Sequence, residues 1–537
     1  MATSKTNSKI NSRTATASSP IVLSGTAPSI EIRKVKIPGL ARSFTTPEVY
    51  KAGIYAVLGG TLLLSGAVIS AVMAQRSVVE DVGFGTTPSI YHAQRIRDSL
   101  SDLDANVVNM LLLPSGSNPT AEKEYQSRKE KLSNLVVAVS KNITIPVYVD
   151  ISKDSSKKIS VPIEQKNIST ITLGINNYIE KAQQARDFHA LKNTSASLEA
   201  YREAQKIIGD DDSGLLKEAY SLDKINFEAL SKAYQSSQVF SLGQSLTVLV
   251  VGTTLLGLLI SIQLLLFKWN RRVINPALLG ATLIAAFFLL DTLVSLNTAT
   301  QQLKIAKEDA FDSLHALRQL RSTAYIMNTA ESRYLLDNSA ASEHEKQFST
   351  SANKIARIGT LNPLVNSEDY QGQLQTLANQ GQVIPGMSGF FATQLKNVSF
   401  PNEMDKTKMM IADFAAYLKI DKKIRSLNTS GKRNEAIKLT LGNNPGESNY
   451  AFEKLKTSNS ATMDVNIDAF NTAIEKAQRS LEDPNPRKAI TGGDITIIEL
   501  TPPNNFDPFW LKTLAISGAI VGLTYYGLTQ RIKEYEA

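Results

Sequence analysis

Side chains able to do chemistry are scarce in these 537 residues, and most stand in unsuitable company. Cysteine is absent, which removes disulfides, thiolate metal sites and cysteine nucleophiles together. The four histidines, His92, His189, His315 and His344, are too few and too scattered for a histidine-based metal or catalytic centre. Gly431-Lys432-Arg433 lacks the upstream glycine spacing and the Ser/Thr of a phosphate loop. Gly83-Phe84-Gly85 runs into Thr86-Thr87-Pro88 and fails the dinucleotide pattern. Asp210-Asp211-Asp212-Ser213-Gly214 offers carboxylates to a hard cation but lacks the alternating ligands and closing Glu of an EF-hand, so it reads as a solvated loop before a helix. Neither HExxH nor GxSxG occurs. The chain reads as non-enzymatic, with no catalytic residue, no metal and no cofactor expected.

What remains are charges in unusual places. Asp291 is the one acid inside an otherwise apolar run, Ala277 to Leu296. Counted from Pro276 it lies about 22 Å along a helix, where it can pair with Lys512. Arg95, Arg97 and Arg186 stand on helical stripes near a helix–helix boundary and are the candidates for holding an anionic ligand. Ordinary pairing with neighbouring acids is the competing account. The formal charge of +8 is no nucleic-acid signal, because residues 1–51 alone carry eight Lys/Arg against Glu31 and Glu48.

Four apolar stretches must position these groups. Ile54–Met73 and Leu246–Phe267 are uncharged and about 20 residues long, enough to cross a 30 Å hydrocarbon core. Ala277–Leu296 carries only Asp291. The fourth, Leu511–Leu528, is short, with Lys512 near its start and Trp510, Tyr525 and Tyr526 at its flanks as interfacial aromatics. Cations flank one end of each span: Arg33, Lys34, Lys36, Arg42 and Lys51 before the first, Lys268, Arg271 and Arg272 between the second and third, Arg531 and Lys533 after the fourth. The positive-inside rule puts both termini in the cytoplasm and the two long segments outside. Arg33, Lys34, Lys36, Arg42, Lys268, Arg271 and Arg272 face anionic lipid headgroups in this reading. Gly518/Gly522, Ala67/Ala71 and Ala281/Ala285 give small-xxx-small faces for close helix packing.

The expected organisation is a disordered basic tail (1–48), a first span (49–75), a first outer helical bundle (76–242) and a second span (243–267). A basic loop (268–275), a third span (276–297), a second bundle (298–509), a fourth span (510–529) and a short tail (530–537) complete it. Ile90, Ala93, Ile96, Leu100, Leu103 and Val107 form an apolar stripe at helical spacing, and Thr87-Pro88 reads as its start. Leu216, Ala219, Leu222, Asn226, Leu230 and Ala233 form another stripe that runs into span two. IPVYVDI and KKISVPI flanking SKDSS predict a small β-hairpin, and 492–509 reads as a short strand with a proline-rich connector. The fold class is therefore an all-α membrane protein with four transmembrane helices, two tandem four-helix-bundle-like outer domains and small hairpin insertions.

Tyr178-Ile179 followed by Arg186 is matched by Tyr417-Leu418 followed by Arg425, and SIYHAQRIR (89–97) echoes SLHALRQLR (313–321), pointing to internal duplication. TTPSIYHAQRIRDSLSDLDANVVNMLLL (86–113), a first bundle helix leaving an anchor, resembles the extracytoplasmic four-helix-bundle sensor module of bacterial chemoreceptors and sensor kinases. That resemblance implies ligand sensing. RRVINPALL (271–279) opens like a HAMP linker, yet GATLIAAFFLL returns at once to the membrane, so HAMP and output domains are lacking. Two functions follow. One is a docking scaffold or assembly factor for protein partners or further copies of itself. The other is a receptor-like sensor of a small molecule or envelope state, signalling through a separate output partner. The expected site of either is a bacterial plasma membrane or an internal membrane such as a thylakoid.

Overall fold

The computed structural model describes residues 34–36, 43–140, 148–150, 160–209, 213–270, 274–359, 367–490 and 507–536. It is a helical protein, and four of its helices are long and apolar enough to cross a membrane. These are α1 (Thr46–Glu80), the C-terminal part of α6 (Gly214–Asn270), α7 (Pro276–Lys304) and α15 (Pro508–Glu536). They pack side by side in the cyclic order α1, α6, α7, α15. Small polar groups join them: Ser65 to Ser517 at 2.6 Å, Gln263 to Thr282 at 3.0 Å, and Asn275 to the Gly527 carbonyl at 3.0 Å. Inside lipid such bonds contribute because the alternative is an unpaired polar group in hydrocarbon.

Between α1 and α6 lie α2 (Thr86–Leu111), α3 (Pro119–Ser140), α4 (Ile163–Ala190) and α5 (Thr194–Ile208). Between α7 and α15 lie α8 (Asp312–Leu336), α9 (Ala341–Ile355), α10 (Glu368–Gln380), α11 (Phe390–Lys396), α12 (Glu403–Thr429), α13 (Arg433–Leu441) and α14 (Ser448–Ser480). Both groups sit at the same end of the span bundle. At the other end Tyr50 meets Trp269 and Tyr535, with ring centres 6.1 and 6.4 Å apart.

The rods are longer than the spans. Thr46–Leu111 runs as 66 helical residues and Pro276–Leu336 as 61, the first about 100 Å long. Each contains one π-helical turn just past its apolar stretch, at Asp81–Gly85 and at Ile305–Phe311. The same number of residues separates Asp81 from Ile305 as separates Asp104 from Asn328. The helix start expected at Thr87-Pro88 is thus absorbed into a continuous rod. The Thr86 N–H reaches back to the Asp81 carbonyl, and the Thr87 hydroxyl donates to the Val82 carbonyl at 2.5 Å. A proline, with no N–H to place, fits where the ladder has already slipped. As the apolar pattern indicates, α6 continues from its soluble stripe into the span without a break.

The two groups are not separate bodies. α2 and α8 pack directly against each other, and Ile326 of α8 is buried in the core built by α2 to α6. At the span end of this body a charged collar ties the rods together. Arg76 of α1 donates to the carbonyls of Leu481 and Glu482, just past the end of α14, and pairs with Asp507. Arg487 pairs with Glu80, and Lys512 bonds Asp291 at 2.8 Å while also reaching Glu482.

Short strands Tyr148–Asp150 and Ser160–Pro162 pair antiparallel, and Lys34–Lys36 pairs with Ser43–Thr45 inside the segment expected to be unstructured. The turn SKDSS, the Asp210–Asp212 cluster, Arg33, Arg42, Arg271, Arg272 and the connector 491–506 lie outside the described residues.

Candidate functional site

The contact between α2 and α8 is unusually polar for a buried helix pair. Gln94, Arg97, Asp98, Ser101, Asp102 and Asp104 are buried along α2, and Arg318, Ser322, Thr323, Asn328, Glu331 and Arg333 along α8. Part of this seam is fully paired. Arg333 of α8 donates to Asp104 of α2 at 2.6 Å and to the Tyr201 hydroxyl at 2.8 Å. Tyr178 of α4 donates to the same Asp104 at 2.9 Å. In the second half Asn328 of α8 donates to Tyr417 of α12 at 3.3 Å.

Other parts of the seam lack partners. Arg318 Nε, Asp98 Oδ1, Ser101 Oγ, Ser322 Oγ and Thr323 Oγ1 are buried without a hydrogen bond among the described residues. Each such group costs about 1–3 kcal/mol of unrecovered solvation. Beside them a cavity of about 350 Å³ opens between the two halves. The first half supplies Tyr91, Arg95, Asp98 and Ser99 from α2, and Arg128 and Lys131 from α3. The second supplies Arg318, Arg321 and Tyr325 from α8, and Ser460, Met463, Asp464 and Ile467 from α14.

Five cations therefore face two carboxylates. Arg128 is held by Asp102, and Arg321 donates to Ser460 at 2.6 Å. The Arg318 side chain is only 9% exposed, lies 3.6 Å from Asp98 and covers the Tyr91 ring at 4.2 Å. Arg95 approaches the same ring at 5.7 Å, so two guanidiniums lie against one aromatic side chain. Burial pulls the Arg318 pKa down, and it pushes the Asp98 carboxyl up even against Arg321 and Arg318.

Of the three arginines singled out by sequence, Arg95 lines this cavity. Arg97 instead stacks on Tyr220 at 5.2 Å, and Arg186 pairs with Glu122 over the Tyr125 ring, joining α4 to α3. Arg128, Lys131, Arg318 and Arg321 were not singled out. Their signal was present in part, since the arginines of SLHALRQLR occupy an otherwise apolar helical stripe. The packing residues divide too. Ala71, Ala281 and Ala285 are buried at helix contacts and Ala67 is half-buried. Gly518 and Gly522 face open space, where an added Cβ would meet nothing within 4 Å. The close approach is made elsewhere, by Gly252 of α6 against Leu289 of α7.

A second buried ionisable cluster lies wholly in the second half. Glu331 accepts from Ser448 at 2.6 Å, close to Asp421, which Arg425 grips with two bonds of 2.8 and 2.9 Å. Burial, then the neighbouring Asp421, pushes the Glu331 pKa up to about 8.

Residues 78–235 match the family model described as Actinobacterial sensor domain, which is less than a third of the chain. No curated protein and no solved structure matches.

Proposed function

We propose that this chain is a non-enzymatic, receptor-like membrane sensor. Its ligand site is the cavity between the two halves, and its signal is a displacement of the rods that frame it. The observation that carries the reading is the incompletely satisfied α2–α8 seam. A ligand that supplies missing partners there gains the free energy those groups lack, and so favours one arrangement of the halves over another. Since α2 continues into α1 and α8 into α7, any shift at the seam is delivered to the spans. The match of 78–235 to a sensor family supports the same reading. The docking-scaffold reading gives no reason for a seam with unpaired polar groups.

The two halves are read as a duplicated span–bundle–span unit. Support comes from the paired π turns and from the matched contacts Asp104–Tyr178 and Asn328–Tyr417. Both termini lie in the cytoplasm, the helical body lies outside, and an output partner meets the cytoplasmic ends of the spans.

The absence of cysteine makes the test clean, because introduced thiols are the only ones. Spin labels at Lys51→Cys and Leu279→Cys, near the cytoplasmic ends of α1 and α7, report their separation by double electron–electron resonance in nanodiscs. A panel of amino acids, sugars, nucleosides and organic acids is added. The expected result is that one class changes the distance distribution and raises the melting temperature. A stoichiometric protein partner co-purifying with no ligand effect on either readout would return the chain to the scaffold class.

A further inference from the structure

A smaller cavity of about 110 Å³ opens along the same seam, further along α2 from the spans. Its walls come from both halves: α2 and the start of α3 on one side, α8, α14 and the loop before α14 on the other. Three asparagines that line it, Asn106 and Asn109 of α2 and Asn328 of α8, are only 5, 8 and 4% exposed. Each commits one end of its carboxamide to the protein. Asn106 Nδ2 donates to the Asp102 carbonyl at 2.9 Å, Asn109 Oδ1 accepts from Ser332 at 2.9 Å, and Asn328 Nδ2 donates to Tyr417. The other ends, Asn106 Oδ1, Asn109 Nδ2 and Asn328 Oδ1, have no partner among the described residues. The rim repeats the pattern. Asn118 Oδ1 accepts from the Ala121 N–H at 3.1 Å, and Asn449 Nδ2 donates to the Leu441 carbonyl at 3.0 Å, which leaves one NH2 and one oxygen.

The charges around this cavity are matched within its own wall. Asp102 holds Arg128, which lines the larger cavity, and Glu453 holds Lys456. The odd charge among the lining residues is acidic, Glu124, so an anion finds no cation left to meet it. What remains open is neutral, part donor and part acceptor. A hydroxyl answers either kind, donating to a carboxamide oxygen or accepting from an NH2. The volume holds roughly four waters, and Ala105, Leu441 and Phe452 give a carbon chain an apolar wall. We propose that this cavity is a second ligand site, taking a short uncharged polyol of three or four carbons whose hydroxyls bridge Asn106 and Asn109 of the first half to Asn328 of the second. Such hydroxyls reproduce the hydrogen bonds of the waters they displace. The site rests neither on the sensor reading nor on the larger cavity.

The full chain in nanodiscs is titrated with glycerol and erythritol and followed by saturation-transfer difference NMR, with empty nanodiscs as the blank. Saturable binding is expected, with a dissociation constant on the order of 1 mM for a ligand of so few atoms. Ethanolamine, lactate and acetamide, which bring a cation, an anion and an amide to the same space, should bind more weakly. Asn106→Leu and Asn328→Leu should each weaken erythritol about tenfold, the loss of its hydrogen bonds to one carboxamide. Thr120→Phe stands at the exposed rim, closes the mouth without touching the core, and should abolish binding, so the question is decided even where a buried variant fails to fold. Lys131→Gln, in the larger cavity, should leave erythritol affinity unchanged. Signals from both polyols no greater than the blank, or affinity unchanged in Thr120→Phe, would overturn the proposal. Ethanolamine, lactate or acetamide binding as tightly as erythritol would overturn it as well.

Discussion

Glu331 shows how a single buried carboxyl writes itself into the stability of the whole body. Its ordinary value of 4.5 rises to about 8 when folded, so between those limits the native state binds more protons than the unfolded chain. Stability contributed by this group is complete at low pH and declines as pH climbs toward 8. His92 and His344 work the other way. Burial lowers both to about 4, so their contribution grows from there to about 6.5 and is then complete. Above about pH 6.5 the histidine contribution is complete, and the slope belongs to buried carboxyls, Glu331 with Asp421 beside it and Asp98, all raised by burial. From about pH 6.5 to 8 the parent should lose on the order of 1–2 kcal/mol that Glu331→Gln does not lose. Thermal unfolding of both proteins at several pH values checks this, and parallel curves would assign the slope to another group.

At the scale of elements, the two π turns set the phase between span and body. Each adds a slip in the ladder at the point where an apolar stripe facing neighbouring spans hands over to a stripe facing the seam. Deleting Gly85 should close the slip to ordinary α-helix and leave the phase of α2 nearly unchanged, whereas inserting one alanine after Gly85 should turn α2 by about 100° relative to α1. Its buried stripe would then face outward, at a cost above roughly 5 kcal/mol. The expected outcome of the insertion is a protein still found in the membrane fraction whose helical body has lost its resistance to trypsin.

The spans were legible because length and hydropathy alone decide them, and so was the passage of α6 from Asn226 to Phe267. The cavity was not. Its cations come from helices far apart in the chain, and no local pattern brings Arg128 to Arg318 across 190 residues. Arg318 and Arg321 were visible, but as letters in a repeat rather than as charges pointing into a core. Gly518 and Gly522 meet no neighbour within this chain. A small-residue spacing states that a face is flat, and says nothing of what lies across from it. Thr87-Pro88 looked like a beginning because caps and prolines usually begin helices, whereas a π turn lets the rod run through them.

At the scale of the molecule, the proposed topology rests on where the loops fall. Single cysteines at Lys181 and Lys422, partly exposed on α4 and α12, should be labelled by a membrane-impermeant maleimide from one face of intact cells. Cysteines at Lys268 and Lys533 should react only after the membrane is opened. Labelling of Lys181→Cys and Lys422→Cys from opposite faces would break the arrangement, because α2 and α8 could no longer share a seam.

That seam joins parts of one polypeptide. Two separate subunits meeting through so many ill-matched polar groups would come apart on dilution, and their response would track how many copies the cell makes. Here the linkage through α6 and α7 holds the halves at a local concentration that abundance cannot change. In the proposed sensor, a contact too weak to survive between free molecules can then serve as the moving part within one copy, which hands its displacement to the output partner.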